Sequence, residues 1–436
     1  MATVLGIAGV VAYIARLILS PLLDPIRGEL RITDSEVSLL QGAAFAIVYA
    51  FAALPLGRLA DRHRRLTILT ISAVVWSLGV VGCGLAPSFG TLFVCRLVVG
   101  IGEAALVPAG VSLLADTFPT DRRGVAVGIL MTGCALGVPA AYAVGGELLQ
   151  IAQGGAFSQT PALGELTAWR QVLVIIGIAG MIVPLLFLSL REPLRKEVTA
   201  DETSFRATVE RFWADRKLLM PLYLGMALLS IGDFSLYSWL PSVLFRKFDY
   251  TPHIAGIWLG GIIAVASVVG LSMGGVLADW AARRGGLAAR LKVSVVASAV
   301  AVAGALLVSG PEAVFALVGL GVWVFAGALA FTSAYVGIQT VIPAEHRAVG
   351  LGLVAFCNIL LGLGLGPTLV ALATDFIFRD PQSVGFAITA VASPAAVCAC
   401  LLFVYAGVTS RRPRLVVEAG PFEPPGEILG SEKAAN

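Results

Sequence analysis

Charge is scarce in this sequence. Only 13% of its 436 residues are Asp, Glu, Lys or Arg, and 58% are hydrophobic, against about 25% and about 45–50% in soluble domains. A soluble fold of this length has no interior large enough for that apolar fraction. Histidine is scarcer still: His63, His253 and His346, all in or near polar breaks. Neither a His-Glu-x-x-His metal motif nor a strand-to-helix nucleophile elbow is read from the chain, which argues against a membrane hydrolase or acyltransferase. A Walker-type phosphate loop is absent, which argues against an ATP-driven pump. The six cysteines (83, 95, 134, 357, 398 and 400) all fall inside apolar runs, without metal-ligand spacing. No disulfide, metal site or cofactor is expected from them. A net charge of +3 gives no footing for nucleic acid.

Long apolar runs are what the sequence has instead. About 20 such residues, at 1.5 Å each, cross about 30 Å of hydrocarbon, and a backbone in lipid must satisfy itself, so such runs become helices. Twelve are read, at roughly 3–23, 37–59, 66–86, 90–114, 122–149, 169–190, 217–245, 254–278, 290–309, 312–341, 348–374 and 383–408. The first lacks a basic leader and a small-residue cleavage site, and reads as a retained helix. Basic residues gather in alternate breaks, from Arg58, Arg62, Arg64 and Arg65 to Arg283, Arg284 and Arg290, whereas the other breaks hold only Arg27, Arg31, Arg170, Arg246, Lys247 and Arg379. The positive-inside rule then places both termini in the cytoplasm.

The longest polar interior stretch, 191–216, divides the runs six and six. The predicted organisation is an N-terminal bundle over 1–190, a cytoplasmic linker, a C-terminal bundle over 217–408 and a disordered cytoplasmic tail over 409–436. A repeat supports the division: Gly57, Leu59, Ala60, Asp61 and Arg65 match Gly275, Leu277, Ala278, Asp279 and Arg283, 218 residues later. Parallel six-helix repeats with a substrate site near midplane are one established transporter architecture.

Three stretches resemble the major facilitator superfamily. GRLADRHRR, residues 57–65, looks like its signature loop after the second helix. Arg96 to Ala104, RLVVGIGEA, resembles its fourth-helix motif, and Gly133 to Pro139 with Gly145-Gly146 its fifth helix. More narrowly, ILSPLLDPIRGELRITDSEVSLLQGAAFAIVYAFAALPLGRLADR, GIGEAALVPAGVSLLADTFPTDRRG, Trp169-Arg170 and Arg191-Glu192-Pro193 resemble Spinster-like transporters. The resemblance runs over residues 1–408. It implies an all-α integral membrane fold of twelve helices in two bundles. It also implies an amphipathic cargo of lysophospholipid or sphingoid-phosphate type and proton coupling. The chain departs from the family in one place: Spinster-like sequences usually carry aspartate then arginine in the first helix, and here the pair is Ala15-Arg16. The missing carboxylate is the family's suspected proton carrier, so proton coupling is in question. A multidrug or organic-anion exporter on the same scaffold is the alternative, and a lipid scramblase a more distant one.

Charges inside membrane helices are costly and mark function. Arg16, Arg96, Glu103 and Asp233 are such charges. Arg96 and Glu103 are seven residues apart, about two turns on one helix face. Arg16 and Glu103 are expected to pair across the N-terminal cavity, with Arg16, Arg96 and Glu103 as the proton-coupling set and Glu103 as the remaining proton acceptor. Cargo contacts are expected from Arg16, Glu103, Asp233, Tyr237 and Trp239, and from Ser333, Tyr335 and Asn358. A cytoplasmic gate is expected from Gly57, Asp61, Arg62, Arg65, Arg122, Arg123, Asp279 and Arg283, latching the bundles when that side closes. The remaining expectations are a monomer in a bacterial inner membrane, protons and lipid as its partners, and no nucleic acid.

Overall fold

The computed structural model describes residues 1–193, 212–343 and 346–410. The side chains of Leu54, Asp61, Thr120, Asp121, Arg347 and Ala348, most of the linker and the tail beyond 410 lie outside the described residues. Among the described residues every regular element is helical. The first seven long helices are α1 (Ala2–Leu30), α2 (Asp34–Ala60), α3 (Arg65–Leu85), α4 (Phe89–Thr117), α5 (Arg122–Gln153), α6 (Ala168–Leu188) and α7 (Arg216–Phe248). All are long and apolar enough to cross a membrane.

The next apolar helix runs from Pro252 to Leu307, 56 residues, about 84 Å if straight and nearly three times the hydrocarbon thickness. It is two spans joined by a kink. Gly286 takes φ 61°, beside Gly285 at φ −162°, and only glycine enters the left-handed region without steric cost. The pieces are α8 (252–284) and α9 (287–307). Then come α10 (Ala313–Val341), α11 (Val349–Phe378) and α12 (Pro381–Thr409). Eleven candidate spans, one of them double, give the twelve expected.

Sequence signals account for the helix starts. Thr33 and Glu36 form a reciprocal capping box at the head of α2, Ser88 and Thr91 do so at α4, and Thr251 caps α8 with Pro252 in its first turn. The first run was expected to stop near residue 23. Instead its α-helix ends at Leu17, passes through a 3-10 turn at Ser20–Leu22 containing Pro21, and resumes to Leu30.

Close helix approach depends on missing side chains. A Cβ on Gly133 of α5 would stand 2.0 Å from the Gly6 carbonyl oxygen of α1. Between α5 and α8, a Cβ on Gly146 would meet the Pro252 oxygen at 2.3 Å, and one on Gly256 the Tyr142 oxygen at 2.5 Å. On α2, Gly42 comes equally close to Leu363 of α11. These contacts between the two halves lie toward the face opposite the chain termini. Toward the termini the same helices part: the Cβ directions of Gly124 and Gly128 on α5, and of Gly275 on α8, meet nothing within 4 Å. The halves therefore approach most closely on one face, the closed face, opposite the termini or open face.

Candidate functional site

Arg16 and Glu103 meet inside the N-terminal half. The Arg16 Nε and Nη2 lie 3.1 and 3.0 Å from the same carboxylate oxygen, Glu103 Oε2, and both side chains are almost wholly buried. Each partner stands where its helix is interrupted. Arg16 is the last residue but one of the helical piece Ala2–Leu17, and Glu103 ends the piece Phe89–Glu103. Interrupted helices free backbone groups and are where transporters place ligands. Three rings box the guanidinium, with centroids 4.3 Å (Tyr13), 4.7 Å (Tyr49) and 4.9 Å (Phe45) away, so cation–π attraction supplements the ion pair. The other Glu103 oxygen, Oε1, is buried with no hydrogen-bond partner. A buried acceptor left open is costly, and this one is poised to take a proton or a donor from a ligand.

Arg96 shares the burial but not the carboxylate. Its Nε donates to the Leu40 carbonyl at 3.0 Å, and its Nη1 and Nη2 to the carbonyls of Ala15 and Arg16 at 3.2 and 3.1 Å. It ties α4 to α2 and to the end of the first piece of α1, and so positions Arg16.

In the C-terminal half, Asp233 Oδ1 accepts from the Trp323 indole at 2.8 Å. One turn on, the Tyr237 carbonyl accepts from the Tyr142 hydroxyl of the other half. Tyr335 stacks on Phe331 at 5.8 Å, and both are half-buried. Asn358 opens a π-helical stretch, Asn358–Leu363, and its Oδ1 is buried without a partner; such bulges are frequent at functional sites. Trp239 and Ser333 are fully buried and spent within their own half. The Trp239 indole donates to the Pro367 carbonyl at 2.9 Å, and the Ser333 hydroxyl to that of Arg290 at 2.8 Å.

On the closed face the halves are joined by charges not singled out in the sequence. Arg246 of α7 reaches Asp24 of α1 at 2.5 Å and both oxygens of Asp34 of α2 at 2.7 and 2.9 Å. Arg27 also holds Asp34, at 3.0 Å. Asp375 of α11 accepts from the Ser35 backbone N–H and hydroxyl, at 2.7 and 2.6 Å, and so caps the head of α2 from the opposite half. His253 pairs with Glu147. Arg27 and Arg246 were visible beforehand only as charges outside the basic loops; their carboxylate partners lie more than 200 residues from Arg246 in sequence.

Comparison with known proteins decides the family. The Major Facilitator Superfamily model matches residues 5–367. The chain belongs to the major facilitator superfamily. It is 25% identical over 382 residues to an MFS-type efflux pump of Mycolicibacterium smegmatis, covering 86% of this chain and 84% of the pump. It is 26% identical over 179 residues to the "Probable sphingolipid transporter spinster homolog 1" of Arabidopsis thaliana, 41% of this chain and 33% of that one. Among solved structures, a bacterial homologue of the human lysosomal transporter Spinster, inward-facing and unoccupied, superposes with a TM-score of 0.77 at 25% identity, covering 94% of this chain and 96% of that one. The Spinster resemblance read from the sequence is borne out. This is a multi-pass membrane protein of a transporter family, and such transporters carry small molecules rather than catalyse reactions.

The superfamily's signature loop has a defined place. Arg65 is buried, with its Nη1 2.5 Å from Asp116 and its Nε 3.2 Å from Glu192. Glu192 also accepts from the backbone N–H groups of Arg65 and Leu66, at 2.8 and 3.0 Å, capping α3. In this state Arg65 therefore bonds to its own half and to the first residues of the linker. A Cβ on Gly57 would meet the Pro108 side chain, also of its own half, at 3.7 Å. Arg62 and Arg122 are exposed, and Arg123 donates to the Phe118 carbonyl at 3.2 Å. The Asp61 side chain lies outside the described residues. In the second half Asp279 pairs with Arg290 at 3.0 Å, while Arg283 is exposed. Residues 270–274 do spell a G-x-S-x-G string, Gly270 to Gly274, but it runs inside helix α8 with Gly270 packed against Phe325, not at a strand-to-helix elbow.

Proposed function

We propose that the protein moves an amphipathic, lipid-like molecule of lysophospholipid or sphingoid-phosphate type across a bacterial inner membrane. Transport proceeds by alternating access and is coupled to protons at Glu103. The observation that carries this reading is the Arg16–Glu103 pair, buried at two helix interruptions with one carboxylate oxygen unpartnered. A proton on Glu103 removes the charge that holds Arg16 and frees the guanidinium for an anionic headgroup. Loss of the proton restores the pair and releases the cargo. The rings of Tyr13, Phe45 and Tyr49 on one side, and of Phe331 and Tyr335 on the other, offer apolar surface to an acyl chain. The arginine-rich termini face is read as cytoplasmic, which makes the present state inward-facing. The coupling role of Arg96 is to hold the carbonyls beside Arg16.

A second reading, a drug exporter, is favoured by the likeness to an efflux pump over 86% of the chain. Uptake of lysolipids and of amphipathic drugs into proteoliposomes under an imposed pH gradient separates the two. Lysolipid uptake that follows the gradient in the wild type, and loses that dependence in Glu103→Gln, supports the proposal. Gradient-independent flipping in the wild type indicates a scramblase and overturns it.

A further inference from the structure

Asp233 lacks a cation. One of its oxygens accepts from the neutral Trp323 indole, and among the described residues no Arg, Lys or His pairs with it. Its helix packs against α10, α11, α12, α8 and the turn at Ser20–Leu22, and the titratable group that faces it is Tyr237 on its own helix, which in turn neighbours Tyr142 of α5. Arg16 and Glu103 cancel one another. Arg96 spends its charge on three backbone carbonyls of the N-terminal half, so in the C-terminal half Asp233 stands as a carboxylate with no cation beside it among the described residues. An uncompensated carboxylate at membrane depth is costly and calls for a positive partner.

Its position says when that partner arrives. Four residues beyond Asp233, the Tyr237 carbonyl receives the Tyr142 hydroxyl and closes one half on the other. Four residues beyond Arg16, Ser20 contacts the same Tyr142 and accepts from Gln41 at 2.5 Å. Arg16 and Asp233 thus stand one helical turn, about 5.4 Å, below the same tyrosine layer, one in each half and both toward the open face. Asp233 is half-buried. A charge at this level has to be compensated before the open face can close over it.

From this juxtaposition we infer that Asp233 is a second charge site of the transport cycle, occupied by one positive charge that is either the ammonium of a zwitterionic cargo or a proton. The inference rests on the transport reading above and names what that site takes in its second half. Two cargoes that differ only in the amine distinguish the sources: lysophosphatidylethanolamine carries an ammonium, and lysophosphatidic acid does not.

The test compares wild type, Asp233→Asn and Glu103→Gln in proteoliposomes with both lipids, with and without a pH gradient. If the cargo supplies the charge, Asp233→Asn lowers uptake of the ethanolamine lipid about 10- to 100-fold, the worth of one charge-assisted contact. Wild type then carries lysophosphatidic acid poorly, Asp233→Asn raises its uptake, and the gradient response stays as in wild type. If a proton supplies it, Asp233→Asn blunts the gradient response for both lipids. An Asp233→Asn protein that keeps both the headgroup preference and the gradient response overturns the inference. Should Glu103→Gln alone lose the gradient response, the transport reading stands without it. Thermal stabilisation by each lipid gives a readout independent of transport. Trp323→Phe covers the case in which Asp233→Asn does not fold. It keeps the carboxylate but removes its one donor, so dependence on the ammonium or on the proton should sharpen; unchanged dependence again contradicts the inference.

Discussion

Arg246 of α7 forks onto both carboxylate oxygens of Asp34 on α2, at 2.7 and 2.9 Å, across the boundary between the two halves. A bidentate pair of this kind is among the stronger polar contacts, and it exists only while this face is closed. With Asp24 on a second side it forms a clasp on α1 and α2. Opening of this face must break the clasp, and the present state is held partly by it.

Replacing Arg246 by Gln removes the fork and leaves Asp24 and Asp34 without their shared cation. Losing about 2–3 kcal/mol of preference for the closed face shifts the population about 30- to 150-fold toward opening. Spin labels at Gly28 and Gln382, which border the shallow pocket beside Arg246, should report a longer distance in the variant. An unchanged distance would show that the clasp carries no weight in the equilibrium.

Gly256 supplies a purely steric test of the same seal. A Cβ there would stand 2.5 Å from the Tyr142 carbonyl oxygen, so Gly256→Val cannot keep α5 and α8 in contact. The same labels should separate, with transport strongly reduced while the protein still folds, because the clash lies between the halves and not within one.

Arg96 predicts a loss of stability rather than of gating. Its three carbonyl bonds need a planar fork that lysine lacks. Arg96→Lys should lower thermal stability, by about 2–4 kcal/mol on the scale of disrupted buried charges, measured as melting of the detergent-purified protein. It should also weaken lysolipid stabilisation, since Arg16 loses the support of its own backbone carbonyl.

Arg65 makes the opposite case to Arg246. Its partners are Asp116 of the N-terminal half and Glu192 at the start of the linker that follows it, and neither lies in the C-terminal half. Arg65→Ala should therefore reduce stability by about 3–5 kcal/mol without opening the face that Arg246 closes. Melting and label distances measured on one sample would separate these effects.

How much of this was legible beforehand follows from the kind of signal. Span number and the six-plus-six division depend on run length and loop charge, which a sequence shows directly. The Arg16–Glu103 pair was legible because so few charges lie inside apolar runs that their partners are nearly forced. Arg246 was not, because Asp24 and Asp34 become its neighbours only once α7 lies against α1 and α2. Trp239 and Ser333 looked like cargo contacts by residue type, yet each hydrogen bond goes to a backbone carbonyl nearby. The repeat aligned Arg283 with Arg65, but the Gly285-Gly286 kink delays the ninth helix, and the buried arginine that meets Asp279 is Arg290. Helix kinks of this sort move partners by a turn or two without changing the motif that predicts them.

The central claim is that the two halves rock, so that one face opens as the other closes. Label pairs on both faces of the same protein test it most directly: Gly28 with Gln382 on the closed face, and Arg62 with Arg283, both exposed, on the open one. Added lysolipid at acidic pH should lengthen the first distance and shorten the second together. Two distances that change independently, or a second distance that stays fixed while cargo is transported, would contradict the account.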